Sequence, residues 1–378
     1  MKVLIAVTHL LGTGHLSRAL TLGRAFSAAG HKVCIASGGF AAPQLNADGI
    51  DLLQLPPLRS DGVGFTRLLT ATGEIADAGY YSERQTALCA ALENVQPDIL
   101  ITELYPFGRR SLAAEFQALL SSAQKLPHRP VILASIRDIL APPSKPKKAT
   151  QADAMIAEFY DAVLVHSDPT TTRLEVSWPV SAMLASKLRY TGYVAPAAAN
   201  PHPQGAGQGE ILVSAGGGSV GDALFETALK TAELMPDTTW RLLVGGSDKS
   251  ERIARLQSQD GPAIIEATRP DFRQMLPLAA ASVSMCGYNT ALDLLQCGTP
   301  SVLIPFDAGN EVEQGLRADS LAPLSGIQVL SNADLTPETL RAAMHSAMAA
   351  PRRATNGLQF DGASQAVRIA VDMAGRRP

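Results

Sequence analysis

Ser284 to Phe306 reads SMCGYNTALDLLQCGTPSVLIPF. An apolar run, ASVSMCG, ends at a glycine turn; an amphipathic stretch follows from Asn289, and a second apolar run, PSVLIPF, opens after Gly-Thr. Apolar runs that are continuous rather than alternating predict strands buried on both faces, and helices between them predict a parallel sheet covered on each side. Working outward, the same alternation begins at EILVSAGGG and continues through a helix from about Asp222, WRLLVGG, a helix from Ser250 and PAIIEAT. The first half repeats it with KVLIAV, HKVCIAS, PDILITE, RPVILASI and DAVLVHS, with helical stretches such as HLSRALTLGRAFSAAG between them. Between the two series, YVAPAAANPHPQGAGQGE lacks periodicity and reads as a linker. The expected fold is α/β: two doubly wound, Rossmann-like parallel-sheet domains facing across a cleft. The expected boundaries are 1–195, a linker over 196–209, a second domain over 210–360, and a C-terminal helix over 361–378 that is open to packing against either domain.

A chain of 378 residues with 46% hydrophobic content has enough material for two cores. The formal net charge of -3 gives no global basic field, which argues against a nucleic-acid partner. Cys34, Cys89, Cys286 and Cys297 have neither metal-ligand nor disulfide-framework spacing, and are expected as small core residues in a reducing compartment. Polar residues and glycines interrupt the apolar N-terminus before a signal or membrane span forms, so a cytoplasmic protein is expected. APPSKPKKAT, Ala141 to Thr150, reads as a mobile basic loop that allows peripheral contact with an anionic membrane.

Ligands of open parallel sheets bind outside the carboxyl ends of the strands, where helix N-termini present free N–H groups. Three loops stand out. In THLLGTGHLSRAL, Gly12 and Gly14 permit a tight turn, but Ser17 replaces the third glycine of a dinucleotide fingerprint, and the second strand ends without an acidic residue. His15 falls in the first helical turn, where a neutral imidazole can act as a general base or simply cap the helix. In SAGGGSVGD, Gly216, Gly217 and Gly218 leave a path of bare N–H groups suited to a phosphate. In the third loop, Gly287 and Asn289 fit a turn, Thr290 fits the start of a helix, and Asp293 lies a turn further on the same face. Glu313 and Gln314, before the next helix, carry groups that can meet sugar hydroxyls.

Together, GTGHL, SAGGGSVG and GYNTALDLLQCGTPSVLIPF followed by EQGLRA resemble the nucleotide-sugar glycosyltransferases of GT-B fold. The nearest broad group is family 28, which includes the peptidoglycan N-acetylglucosaminyltransferase. The resemblance covers most of the chain in architecture and is most specific from Ser284 to Ala318. LYPFGRR and SIRDIL are similar to an uncharacterised bacterial subgroup. The resemblance implies that His15 lies near the acceptor, that Asp293 binds the donor ribose, and that Glu313 and Gln314 touch the donor sugar. Two features depart from the peptidoglycan enzyme, which carries Gln or Asp at the position of Glu313 and doubled glycines in the N-terminal loop.

The expected activity is therefore inverting, metal-independent transfer of a sugar from a nucleoside diphosphate, uridine in particular, to an acceptor the sequence does not name. The UDP-sugar is a co-substrate and no cofactor is expected. The diphosphate is assigned to Gly12, Gly14, Gly216, Gly217, Gly218, Gly287, Asn289 and Thr290, and the base to Thr268–Phe272, with Arg269 and Phe272. Glu103 either polarises His15 or binds acceptor; Arg109 and Arg110 either clamp an anionic acceptor or lie on the surface. Arg137 and Asp138 are balanced between an internal ion pair and catalysis, and Asp168 to Arg173 reads as a helix cap. The alternatives are a nucleotide-sugar hydrolase or 2-epimerase, or a donor-binding subunit that needs a membrane partner.

Overall fold

The computed structural model describes residues 1–61, 67–308, 311–355 and 357–376. The chain divides into two compact units, Met1–Pro196 with Gln359–Pro378, and Ala197–Leu358.

The first unit runs β1 (Lys2–Val7), α1 (Gly14–Ala28), β2 (Lys32–Ser37), β3 (Asp51–Gln54), a hairpin of β4 (Arg59–Ser60) and β5 (Leu68–Leu69), α2 (Ala78–Val95), β6 (Ile99–Glu103), α3 (Ala113–Gln124), β7 (Val131–Arg137), α4 (Pro146–Phe159), β8 (Ala162–His166), α5 (Ala182–Lys187) and β9 (Leu188–Tyr190). One parallel sheet takes the order β3-β2-β1-β6-β7-β8-β9. Successive residues of β1 serve opposite faces. Leu4 and Ala6 join a core with Leu92 and Phe116 of α2 and α3. Val3, Ile5 and Val7 join another with Leu16 and Leu20 of α1. Both faces are covered, so the strand has to be apolar throughout.

The second unit runs β10 (Ile211–Ser214), α6 (Asp222–Glu233), β11 (Trp240–Val244), α7 (Lys249–Gln257), β12 (Ile264–Ala267), α8 (Phe272–Met275), β13 (Ala281–Ser284), α9 (Tyr288–Cys297), β14 (Ser301–Leu303), α10 (Glu313–Leu321), β15 (Ile327–Val329) and α11 (Pro337–Ala349). Its sheet is parallel, in the order β12-β11-β10-β13-β14-β15. At the end of α9, Gly298 takes φ +68 and donates to Leu294 O. A Cβ there would lie 2.2 Å from Arg353 O, so only glycine can end this helix.

Two segments differ from their sequence reading, and a third, whose packing that reading left open, is placed. Residues 197–209, read as a linker, belong to the second unit: His202 N donates to Gln274 O at 2.9 Å and Gly209 N to Leu278 O at 3.0 Å. Long-range backbone bonds of this kind leave no periodicity in sequence. The basic loop extends only to Lys145, because Pro146, preorganised for a first helical position, opens α4. The C-terminal helix, α12 (Gly362–Gly375), packs on α1 in the first unit, with Ala366 and Ala370 in the core there. Cys34 and Cys286 are buried, whereas Cys89 and Cys297 are half-buried.

Candidate functional site

The strand order of the first unit reverses between β1 and β6, and their carboxyl ends flank the crevice where such sheets take ligands. The loop after β1 contains Gly12, at φ +66 with open space around it, and Gly14, the first residue of α1. His15 and Arg18, three apart, share one face of α1. Glu103 ends β6 and meets both: its Oε1 lies 3.0 Å from His15 Nδ1 and accepts from Arg18 Nη2. Burial alone would raise the Glu103 pKa, but the Arg18 charge and the His15 hydrogen bond outweigh it and hold the carboxyl ionised, far below the usual carboxylate range. An ionised carboxylate only accepts, so His15 carries its proton on Nδ1 and keeps Nε2 as a lone-pair base. Burial, only partly offset by Glu103, lowers the His15 pKa to about 4, so the imidazole is neutral near pH 7.

Arg109 joins this group. It stands at φ 59 and donates through Nε to Thr8 O at 2.5 Å, and burial pulls its pKa down to about 10. Arg110 turns away, donating to Phe107 O at 3.0 Å and lying over the Trp178 ring. The two arginines paired by the sequence reading thus separate. Arg137 donates to Ile139 O and Asp138 is buried. Asp168 caps no helix: Oδ1 accepts from Thr170 N at 2.9 Å in a local turn, and Oδ2 from Gln359 N at 3.0 Å.

Half-buried His15 and fully buried His166 make stability depend on pH. The His15 pKa falls to about 4 and that of His166 to about 3, both mainly by burial, against an ordinary 6.5. Below pH 6.5 the unfolded chain takes up protons that the folded chain refuses, so their stabilising contribution is present above that pH and lost as pH falls toward about 4. Urea midpoints should therefore decline steadily from about pH 6.5 to about pH 4.5; a flat profile would contradict imidazoles that stay neutral in the folded chain.

In the second unit the order reverses between β10 and β13, which are in register at Ser214 and Ser284. Their loops are therefore neighbours. Gly216, at φ +82, and Gly217 have nothing within 4 Å of a would-be Cβ, and Gly218 has only Val220 at 3.8 Å. The back of this loop is held firmly. Gly245 and Gly246, after β11, lie against Gly216 O and Ser219. Buried Arg252 donates to Gly245 O at 2.9 Å, to Val220 O at 2.7 Å and to Asp222 Oδ1 at 2.8 Å. On the β13 side, α9 starts behind Gly287 with no side chain capping it. The helix begins at Tyr288, which puts Asn289 in the first turn with Thr290, and not in the preceding turn. Arg317 of α10 donates to Cys286 O at 3.1 Å, tying α10 to this loop, while Gln314 Oε1 accepts from Phe306 N at 3.2 Å. Glu313 is the first residue of α10.

Asp293 has a partner the sequence did not disclose. Arg273 Nε donates to its Oδ1 at 2.6 Å, and Arg273 also reaches Ala197 O and Gln296. Burial raises the Asp293 pKa despite that partner. The pair borders a cavity of about 220 Å³ that also touches Gln296 and Cys297. Arg269 is committed to Asp271 through two hydrogen bonds of 2.8 and 2.6 Å, and Phe272 is half-buried at the start of α8.

With this geometry in place, residues 211–370 match the model of the glycosyltransferase family 28 C-terminal domain. The UDP-N-acetylglucosamine--N-acetylmuramyl-(pentapeptide) pyrophosphoryl-undecaprenol N-acetylglucosamine transferase of Brucella anthropi is 28% identical over 167 residues, 42% of this chain and 44% of that protein. The chain thus spans less than half the length of this curated relative. Among solved structures, MurG of Acinetobacter baumannii superposes over 100% of this chain and 99% of its own, with TM-score 0.64 and 15% identity. The glycosyltransferase VinC in complex with dTDP covers 100% of both chains at TM-score 0.63 and 16% identity.

The fold is GT-B, and its residues 211–370 are similar to the family 28 C-terminal domain. In this GT-B chain the residues that sequence reasoning missed are Arg18, Ser135, His166, Arg252, Arg273 and Arg317. Arg18 carried a signal, its three-residue spacing from His15 in a helical stretch; Ser135 and His166 lie in runs recognised as strands but not weighed for chemistry. Among the described residues, no helix is long and apolar enough to cross a membrane.

Proposed function

We propose that this GT-B chain is an inverting glycosyltransferase that moves a sugar from a uridine diphosphate donor to an acceptor hydroxyl. The observation that carries the reading is the pair of open glycine loops on adjacent strand ends, Gly216–Gly218 after β10 and Gly287 before the uncapped α9. Loop N–H groups and the helix dipole there favour a diphosphate and stabilise the charge that grows on it as the glycosidic bond breaks, so the step needs no metal. The relatives named for a UDP-sugar donor support uridine. Asp293 is assigned to the ribose, the Thr268–Phe272 segment to the base with Arg269 and Phe272 beside it, and Glu313 and Gln314 to the sugar. His15 takes the acceptor proton on Nε2, Glu103 orients it through Nδ1, and Arg109 holds an anionic group of the acceptor. Attack opposite the departing diphosphate inverts the anomeric carbon.

Incubating the purified chain with α-linked UDP-sugars and EDTA, with water standing in for the acceptor, should release UDP slowly and yield the β-anomer first by NMR. Retention of the α-anomer or strict dependence on added Mg²⁺ would contradict this reading, and a 2-epimerised sugar would replace it with an epimerase.

A further inference from the structure

Behind the His15–Glu103 pair stands a row of buried polar groups that the proposed reaction does not use. Ser135 lies beside Glu103 in the β6–β7 register, and its Oγ donates to Glu103 Oε2 at 2.5 Å. His166, the last residue of β8, has Nε2 2.9 Å from the same Oγ, and its Nδ1 is 2.8 Å from Thr191 Oγ1, just after β9. Ser135, His166 and Thr191 are each 0% exposed. A sheet needs no such row at its carboxyl edge, where apolar side chains avoid the cost of desolvating polar ones.

The direction of the row is fixed at one end. Glu103 can only accept, so the Ser135 hydroxyl donates to it; the Ser135 oxygen must then accept from His166 Nε2–H, which leaves His166 Nδ1 to accept from Thr191. A neutral His166 satisfies every link. At the other end, Arg18 Nη2 lies on Glu103 Oε1 and 3.1 Å from His15 Nδ1, so two donors contend for one oxygen. Guanidinium favours a two-point grip on a carboxylate. Ser135 on Oε2 denies Arg18 that grip.

Resting on the proposed role of His15 as base, we propose that Ser135 and His166 are positioning residues: by occupying Oε2 they keep Oε1 of Glu103 on His15 Nδ1 and so fix the base in its Nε2-acceptor tautomer. Without them Arg18 takes both oxygens, and His15 loses the partner that sets its tautomer. The charged groups facing His15 are Glu103 from β6, Arg18 from α1 and Arg109 from the segment after β6, and Ser135 and His166 act on it only through Glu103.

The test is imidazole ¹⁵N NMR on the full chain labelled at histidine, with UDP release and UDP affinity measured in parallel, for Ser135→Ala, His166→Phe and His166→Gln. The wild type should show His15 protonated on Nδ1 alone at neutral pH. Ser135→Ala and His166→Phe should give mixed tautomers and about a tenfold or greater loss in kcat with UDP affinity unchanged. His166→Gln keeps a donor toward Ser135 and should recover most of both, which a loss of packing alone would not produce. An unchanged His15 tautomer in folded Ser135→Ala and His166→Phe overturns the proposal. So does failure of folded His166→Gln to recover either readout, which also covers the case in which the phenylalanine variant does not fold. Failure of the underlying reading looks different: the tautomer shifts as stated while His15→Ala retains turnover.

Discussion

Replacing His15 with alanine is expected to lower the transfer rate by about 10²- to 10⁴-fold, the range a positioned general base contributes, while UDP affinity changes by less than about twofold. The asymmetry follows from placement. His15 and its partners Glu103, Arg18 and Arg109 belong to the first unit, whereas the two glycine loops that carry the proposed diphosphate site, Gly216–Gly218 and Gly287, belong to the second. The imidazole suits the proposed role of base because burial keeps it neutral while Glu103 fixes Nδ1 as the protonated nitrogen. Glutamine at 15 should restore little, having no comparable base. Single-turnover UDP release paired with calorimetry separates the two effects. Equal losses of rate and UDP affinity would mean that His15 serves the donor.

The second large effect is on stability. Arg84 is completely buried, with two hydrogen bonds of 2.9 and 2.8 Å to Glu115 and further donations to Gly38 O, Pro56 O and Thr8 Oγ1. It joins α2 and α3 to the segments leaving β1 and β2, the framework under the His15 loop. Arg84→Ala strands the Glu115 carboxylate without its ion-pair partner and removes a donor from Gly38 O and Pro56 O. Breaking a buried pair from one side costs about 3–5 kcal/mol, or about 10 °C in Tm for a unit of this size. The double variant Arg84→Met/Glu115→Leu, which removes both charges, should recover much of that loss, because the penalty comes from the uncompensated charge. Thermal unfolding followed by circular dichroism checks both. A single variant within about 2 °C of wild type, or a double variant no better than the single, would contradict the assignment.

The fold was legible where burial on two faces forces continuous apolar sequence, as in β1, β2, β6, β7 and β8. It was not legible at the sheet edges: β3, DLLQ, is exposed along its length, and β9 is a three-residue strand, so neither carries that signal. The glycine loops could be read because open backbone requires glycine locally. What no local pattern carries is which strand ends become neighbours. Glu103 meets Ser135 only because β6 pairs with β7, and Asp293 meets Arg273 only because the fold brings the Arg273 side chain of α8 within reach of α9. Resemblance supplied a role for Asp293 but could not anticipate that its Oδ1 is already engaged.

Calorimetric titration of the purified chain with UDP tests the central claim most directly, alongside other nucleoside diphosphates and Asp293→Ala. The account predicts saturable binding that prefers UDP and weakens about tenfold or more in the variant. Absence of binding to any nucleoside diphosphate by the folded wild-type chain would contradict it.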